Sequence, residues 1–329
     1  MANKPRNRTA DFAVYLAVRF VVCVIQALPP RLAYALADAV AWLVYRAVGR
    51  RREIALANIR EAFPELRGDP VAADRLVREM FRHFIRAAFE SAFVARKLTL
   101  NTWRRHFVLP HGARLLPRLQ NDRPTLIVSG HLGNWELAGI SLGLFGYHTH
   151  AIARTLDNPH LERYIRKFRT STGQGIIAKN GDFADLTQIL KSGGKVAVLA
   201  DQDAGPRGAF VNYFGRLAST HKSIALLAMQ HDAVLVVVGV PRVNRADYAQ
   251  HPDRDVLDGL DPMFYAVTCE DVIDPREYAG ISRTATVKAI TQRYTSALEA
   301  LVRRHPEQYF WLHRRWKTQP AVEQVRRAA

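Results

Sequence analysis

Five short apolar runs between residues 125 and 240 constrain this chain more than any other feature. "TLIVSG" (125–130), "THAIAR" (149–154), "GIIAK" (175–179), "KVAVLA" (195–200) and "AVLVVVGV" (233–240) lack the strict polar alternation of a half-solvated strand. Between them lie stretches of helical periodicity near 133–145, 158–170, 182–192 and 220–231. Strands that are apolar on both faces must be covered on both faces, and alternation with helices joins them in parallel. The expected fold class is α/β, a mostly parallel sheet flanked by helices. A further strand near 264–272 and a long helix over about 283–304 complete the body, and the polar segment 243–261 reads as a long loop.

Upstream of the sheet the pattern is helical. From Glu53 to about Leu100 apolar residues recur at spacings of three and four, and Phe81, Phe84, Ile85, Ala88 and Phe89 share a side that reads as core packing. Glu90 either faces a site or pairs with an arginine. Before these helices, "FAVYLAVRFVVCVIQAL" (12–28) follows Lys4, Arg6 and Arg8 and is near the minimum length to span a bilayer. Pro29 and Pro30 break it, and a more amphipathic segment (31–52) ends in an arginine cluster. A membrane anchor, a cleaved secretory signal and ordinary buried helices all meet the hydropathy criteria, the anchor best. Arg46, Arg50, Arg51 and Arg52 favour a body on the cytoplasmic side. The expected division is a membrane-associated helical segment over 1–52, a single catalytic domain over 53–318 and a tail over 319–329.

Charge narrows the partners. Lys and Arg number 47 against 30 Asp and Glu, and the net +17 calls for an acidic protein, a phospholipid, a phosphorylated glycolipid or nucleic acid. The two cysteines, Cys23 and Cys269, offer neither a disulfide framework nor a Cys-based zinc pattern, as expected of a reducing compartment.

The chemistry concentrates in "LIVSGHLGNWELAG" (126–139), where His131 leaves the first apolar run and Glu136 follows five residues later. In open α/β sheets ligands bind beyond the carboxyl ends of strands, and His131 falls there. In the first turn of a helix, Glu136 is placed to accept from one imidazole nitrogen, fixing the tautomer and leaving the other nitrogen to take a proton. Taken alone, the spacing equally suits a helix-start carboxylate favoured by the macrodipole beside a hydrogen-bonded turn histidine. Oxyanion donors are sought in the amides of 132–134 or in Arg154, at the end of the next strand. Asp201, Gln202 and Asp203 end a third strand on the same edge, positioned to orient substrate or brace the loop, and Asn134 either contacts substrate or builds the loop. Near the C-terminus "FWLHRRWK" (310–317) offers Arg314 and Arg315 to phosphates, with its aromatics either at headgroup level or turned inward.

Other motifs fail on context. "GISLG" (139–143) spells a nucleophile elbow, but Ser141 falls inside a predicted helix instead of on a strand-to-helix turn. His148 and His150 have no neighbouring ligand to complete a metal site, and "SGGK" (192–195) lacks the phosphate-loop spacing. No metal and no cofactor is expected.

Four ordered blocks, "SGHLGNWELAG", "ARTLDNPHLERYIRKFRTSTGQGIIAKN", "LADQDAGPRGAFVNYFGRLAST" and "PEQYFWLHRRWKTQP", together with "ALANIREAFPEL" upstream, resemble the late (secondary) acyltransferases of lipid A biosynthesis, within the lysophospholipid acyltransferase group. The resemblance covers essentially the whole chain. It implies transfer of a fatty acyl chain from a thioester, usually on acyl carrier protein, to a hydroxyl of a phosphorylated glucosamine lipid at the cytoplasmic face of a bacterial inner membrane. It maps the family's His-x4-Asp/Glu pair onto His131 and Glu136, with no covalent acyl-enzyme. The glycerolipid branch's "EGTRS"-like block is missing. The alternatives are another glycolipid or an aminolipid as acceptor, such as a phosphatidylinositol mannoside with acyl-CoA as donor. From a different class there is a basic nucleic-acid binding protein, which the apolar N-terminus and the α/β pattern disfavour.

Overall fold

The computed structural model of the chain describes residues 7–178, 183–248 and 263–320. Four helices come first: α1 (Arg8–Ala27), α2 (Pro30–Ala47), α3 (Gly49–Ala62) and α4 (Pro70–Lys97). The short β1 (Phe107–Val108) and α5 (Gly112–Gln120) lead into β2 (Thr125–Ser129), α6 (Trp135–Leu144), β3 (Thr149–Ala153), α7 (Pro159–Arg169), β4 (Gly175–Ala178), α8 (Phe183–Lys191) and β5 (Lys195–Leu199). A hairpin of β6 (Ala209–Tyr213) and β7 (Arg216–Thr220) precedes α9 (Ser223–His231), β8 (Val234–Gly239), β9 (Tyr265–Ala266), β10 (Thr268–Ile273) and α10 (Arg283–Arg304).

The main sheet has six strands in the order β10-β8-β2-β5-β3-β4, parallel throughout except for β10, which runs against β8. Both faces are covered. Leu126 and Val128 of β2 join a core cluster with α3, α4, α9 and α10, while Ile127 between them joins a second cluster with α5 and α6. This is why the run carries no polar alternation.

The strand order decides where a site can form. From β2 the chain crosses to β3 on one side of β5, and from β5 it returns to β8 on the far side of β2. Connections that leave two neighbouring strands in opposite directions open a crevice beyond their carboxyl ends. Ser129 and Leu199 are register partners, so His131 and Asp201 each lie two residues past the same rung.

Several expectations shift. The helix after Pro29 ends at Ala47 and α3 begins at Gly49, so the boundary drawn at residue 52 falls inside a helix. The hairpin β6–β7 and the helix α5, which contains Pro117, are additional elements. The strand placed at 264–272 is two pieces, β9 pairing in parallel with β1 and β10 closing the main sheet. Most of the loop at 243–261 and of the tail at 319–329 lies outside the described residues. On α4 the buried stripe runs through Ala73, Val77, Met80, Phe81, His83, Ala87 and Glu90, while Ala88 is exposed. The inward face includes a histidine and a glutamate, so apolar periodicity placed it off register.

Helix α1 is long and apolar enough to cross a membrane. One stripe of it rests on the body along its length. Asn158 donates to the Asp11 carbonyl (2.8 Å), Tyr15 meets the Tyr164 ring (6.2 Å between centroids), the Arg19 guanidinium lies over Tyr164 (4.9 Å) and Gln26 donates to the Ala92 carbonyl (2.7 Å). The rest of its surface exposes Leu16, Phe20, Val21 and Val24, Phe20 at 70%.

Candidate active site

His131 follows β2 at the crevice, and the sequence around it forces a tight path. Gly133 has φ +64°, and a Cβ there would sit 1.9 Å from the Val240 carbonyl oxygen. Only glycine fits this turn. Asn134 caps α6 by accepting from the Leu137 amide (3.2 Å). The segment after α10 runs beside the loop: the Phe310 amide donates to the His131 carbonyl (3.0 Å) and the Gly133 amide to the Gln308 carbonyl (2.9 Å).

The imidazole is held by Asp201. Its Nδ1 lies 2.8 Å from Asp201 Oδ1, and the His131 amide donates to Asp201 Oδ2 (2.8 Å). Gly130 leaves room for that carboxylate, which would lie 3.2–3.3 Å from any Cβ there. Burial pushes the imidazole pKa down, but the charge and hydrogen bond of Asp201, with the charge of Glu136, outweigh it and leave it raised above the ordinary 6.5. For Asp201, burial pushes up, and the His131 charge and hydrogen bonds prevail to hold the carboxyl below its usual range. With Nδ1 engaged as donor, Nε2 carries the lone pair. Gln202 Nε2 stands 3.4 Å from it, and Trp135 and Phe310 flank the ring at centroid distances of 4.9 and 6.0 Å.

Glu136 does not accept from the imidazole, contrary to the expectation from spacing. Its carboxylate takes both arms of Arg169 from α7 (2.9 and 2.6 Å) and reaches His131 only through its field. A carboxylate in the first turn of α6 faces α7, which follows the next strand, and a bidentate arginine wins it. The amides of Gly133 and Asn134, considered as oxyanion donors, are spent on Gln308 and Val240.

The remaining positions divide. Asp203 accepts from Thr318 Oγ1 (2.8 Å) and the Gly205 amide (3.2 Å), and its own amide donates to His313 (3.1 Å), so it braces two loops. Arg315 is 3% exposed and donates to the Ser219 carbonyl and Thr220 Oγ1 (2.6 Å each), which ties it to β7 and withdraws it from phosphate binding. Arg314 is exposed. Trp311 and Trp316 are buried in the main core, away from any headgroup level. The Arg154 side chain is 77% exposed and pairs loosely with Asp157 (3.6 Å). Asn134 is buried, its amide near the Ala87 carbonyl (3.4 Å) and the Tyr265 hydroxyl (3.5 Å). Ser141 sits inside α6, donating to the Ala138 carbonyl (2.8 Å).

Two further side chains support the site: His83, which the sequence does not single out, and Glu90, for which it leaves open a site or an arginine partner. Burial, then the charge of Arg242, pushes His83 down to about 3, so the neutral ring donates from Nε2 to the Gly133 carbonyl (3.1 Å). Glu90 pairs with an arginine, Arg242, and also accepts from the hydroxyls of Tyr34 (2.5 Å) and Tyr265. No motif marks either, because their partners lie 50 or more residues away.

An imidazole braced on one nitrogen by a buried carboxylate, with only a long amide contact on the other, at the crevice of a parallel sheet, has the arrangement an enzyme needs to take a proton from a hydroxyl. The chain belongs to the bacterial lipid A biosynthesis acyltransferase family, whose model matches residues 2–318, and it is an acyltransferase of the kind that moves groups other than aminoacyl. A lipid A biosynthesis palmitoleoyltransferase of Escherichia coli (strain K12) is 26% identical over 278 residues, 83% of this chain and 81% of its own. A lipid A biosynthesis lauroyltransferase of the same organism is 26% identical over 334 residues, 97% and 98%. A phosphatidylinositol mannoside acyltransferase of Mycolicibacterium smegmatis is 27% identical over 155 residues, 41% of this chain and 51% of its own.

Proposed function

We propose that this chain moves a fatty acyl group from an acyl carrier protein thioester to a hydroxyl of a lipid A precursor, on the cytoplasmic face of a bacterial inner membrane. His131 Nε2 takes the hydroxyl proton as the oxygen attacks the thioester carbonyl carbon. The new C–O bond forms, the C–S bond breaks, and the imidazolium returns its proton to the departing thiolate. Asp201 fixes the tautomer and stabilises the imidazolium. Glu136 and Arg169 clamp α6 to α7, with the Glu136 charge adding to the stabilisation. Gln202 is the polar donor positioned to hold the reacting oxygens. Arg154 and Arg314, both exposed, are available to the acceptor's phosphates. The observation that carries this reading is the His131–Asp201 contact, which commits one ring nitrogen and leaves the other facing only the long Gln202 contact of 3.4 Å.

Support for the membrane comes from α1, whose outward face is apolar. Because its inner stripe contacts α7 and α4 along its length, the reading that fits is a helix lying in the interface with the body beside it. The arginines after α2 and the cytosolic source of acyl carrier protein support the cytoplasmic side. Partial similarity to the mannoside enzyme supports a second reading, a different glycolipid acceptor with acyl-CoA.

Purified protein given radiolabelled acyl carrier protein and acceptor lipid tests the chemistry. His131→Ala is expected to abolish transfer, while Ser141→Ala keeps most of it; an active His131→Ala protein would sink the mechanism. Mass spectrometry of lipids from cells with and without the protein separates the acceptors.

A further inference from the structure

A cavity of about 530 Å³ opens between α2 and α4 and includes none of the residues around His131. Its walls carry Trp42, Tyr45 and Arg46 of α2, Arg52 of α3, and Arg78 and Arg82 of α4. Asp38 and Glu79 also line it, so four guanidinium groups face two carboxylates. The acids are committed. Arg82 pairs with Asp38 (3.2 Å) and Glu79 (3.5 Å), Arg86 takes the same Asp38 (2.6 Å), and Arg78 pairs with Asp74 (2.6 Å).

Arg46 and Arg52 have no carboxylate partner among the described residues. Their guanidinium groups lie over aromatic rings, Arg46 4.9 Å from the Trp42 centroid and Arg52 5.1 Å from that of Tyr45. An arginine resting on a ring is held in place while N–H donors remain for an oxyanion, and the planar fork suits phosphate. Two such groups in one cavity make a site for a doubly coordinated phosphate oxygen set.

The neighbouring surface says what else the ligand carries. Trp42 is a wall of the cavity and, at 56% exposure, part of the outward face of α2 with Leu32, Leu36 and Leu43. An acidic soluble protein would satisfy the arginines and leave that row in water. A phospholipid satisfies both, with its phosphate in the cavity and its chains along the leucines. We propose that this cavity binds the headgroup of an acidic phospholipid and fixes the enzyme's orientation on the bilayer. The proposal rests on the membrane-facing placement of the N-terminal helices and not on the acyl-transfer chemistry.

The test uses the full chain in flotation with vesicles of phosphatidylcholine, alone or doped with phosphatidylglycerol, with no acyl donor or acceptor present. The wild type is expected to bind the doped vesicles roughly thirtyfold more tightly, the scale set by two arginines at about 1 kcal/mol each at an anionic surface. Arg46→Gln/Arg52→Gln should lose most of that preference. Arg283→Gln/Lys288→Gln on α10 removes the same charge and should keep the preference. If both pairs behave alike, the gain is bulk charge and the site is refuted. Displacement by inorganic phosphate, at ionic strength matched with chloride, would assign the cavity to free phosphate and overturn the lipid. So would unchanged vesicle binding by Arg46→Gln/Arg52→Gln with a raised KM for acyl carrier protein. Should that variant not fold, brominated phosphatidylglycerol must quench emission in the wild type that Trp42→Phe lacks; no such quenching refutes the proposal equally.

Discussion

At His131 two opposed effects set the pH at which the imidazole changes charge. Burial disfavours the cation, and Asp201, helped by Glu136, favours it more strongly, so the group titrates above 6.5. As the proposed base, His131 must be neutral to work, so activity is expected to be lost as pH falls through this raised value. The acidic limb of kcat/KM is therefore expected above pH 6.5. Asp201→Asn removes the charge that raises the pKa and leaves burial, which lowers it, so the limb should move to lower pH. The asparagine amide also competes to donate to Nδ1, which pushes the proton onto Nε2 and should cost ~10²- to 10⁴-fold in rate at the optimum. A limb unmoved in Asp201→Asn would remove Asp201 from its orienting role. Both residues were legible in the sequence as strand-end polar groups. Their pairing was not, because the register of β2 on β5 brings together side chains 70 positions apart.

Helix α4 illustrates what an element's periodicity hides. Its inward face carries Phe81 into the main core, turns Phe84 toward Trp135 and Phe310, and buries Glu90 completely. Glu90 and Arg242 form an ion pair in the interior, and Tyr265 links that pair to Asn134 at the start of α6. Glu90→Ala removes the buried carboxylate that Arg242 pairs with, and a loss of about 3–5 kcal/mol is expected in urea unfolding. Glu90→Met/Arg242→Met, which removes both charges, should recover much of it. A loss of under about 1 kcal/mol in the single variant, the range of exposed pairs, would mean that the pair is solvated in solution. Sequence offered Glu90 two fates, a site or an arginine partner, and the cross-connection to Arg242 at the end of β8 settled it.

For the whole molecule, α1 is the test of how the body meets lipid. A protein lacking residues 1–30 is expected to lose most of its partitioning to membranes. Alkaline carbonate should release the full chain, since a helix in the interface is held by one face while a spanning helix is retained. Retention after carbonate would make α1 a span and require its stripe against α7 and α4 to separate. The sequence by itself determined the parallel sheet, the long C-terminal helix, the apolar N-terminus and the polar residues at the sheet's carboxyl edge, because these follow from local periodicity and from which side chains end each strand. It missed the β6–β7 hairpin, whose strands are too polar to read as buried, and it assigned the imidazole's partner to Glu136. Only the tertiary structure decided that partner. Spacing along one helix specifies what lies within a turn of His131, whereas strand order, reversing between β2 and β5, specifies what lies across the crevice, and from there Asp201 holds the imidazole nitrogen at 2.8 Å.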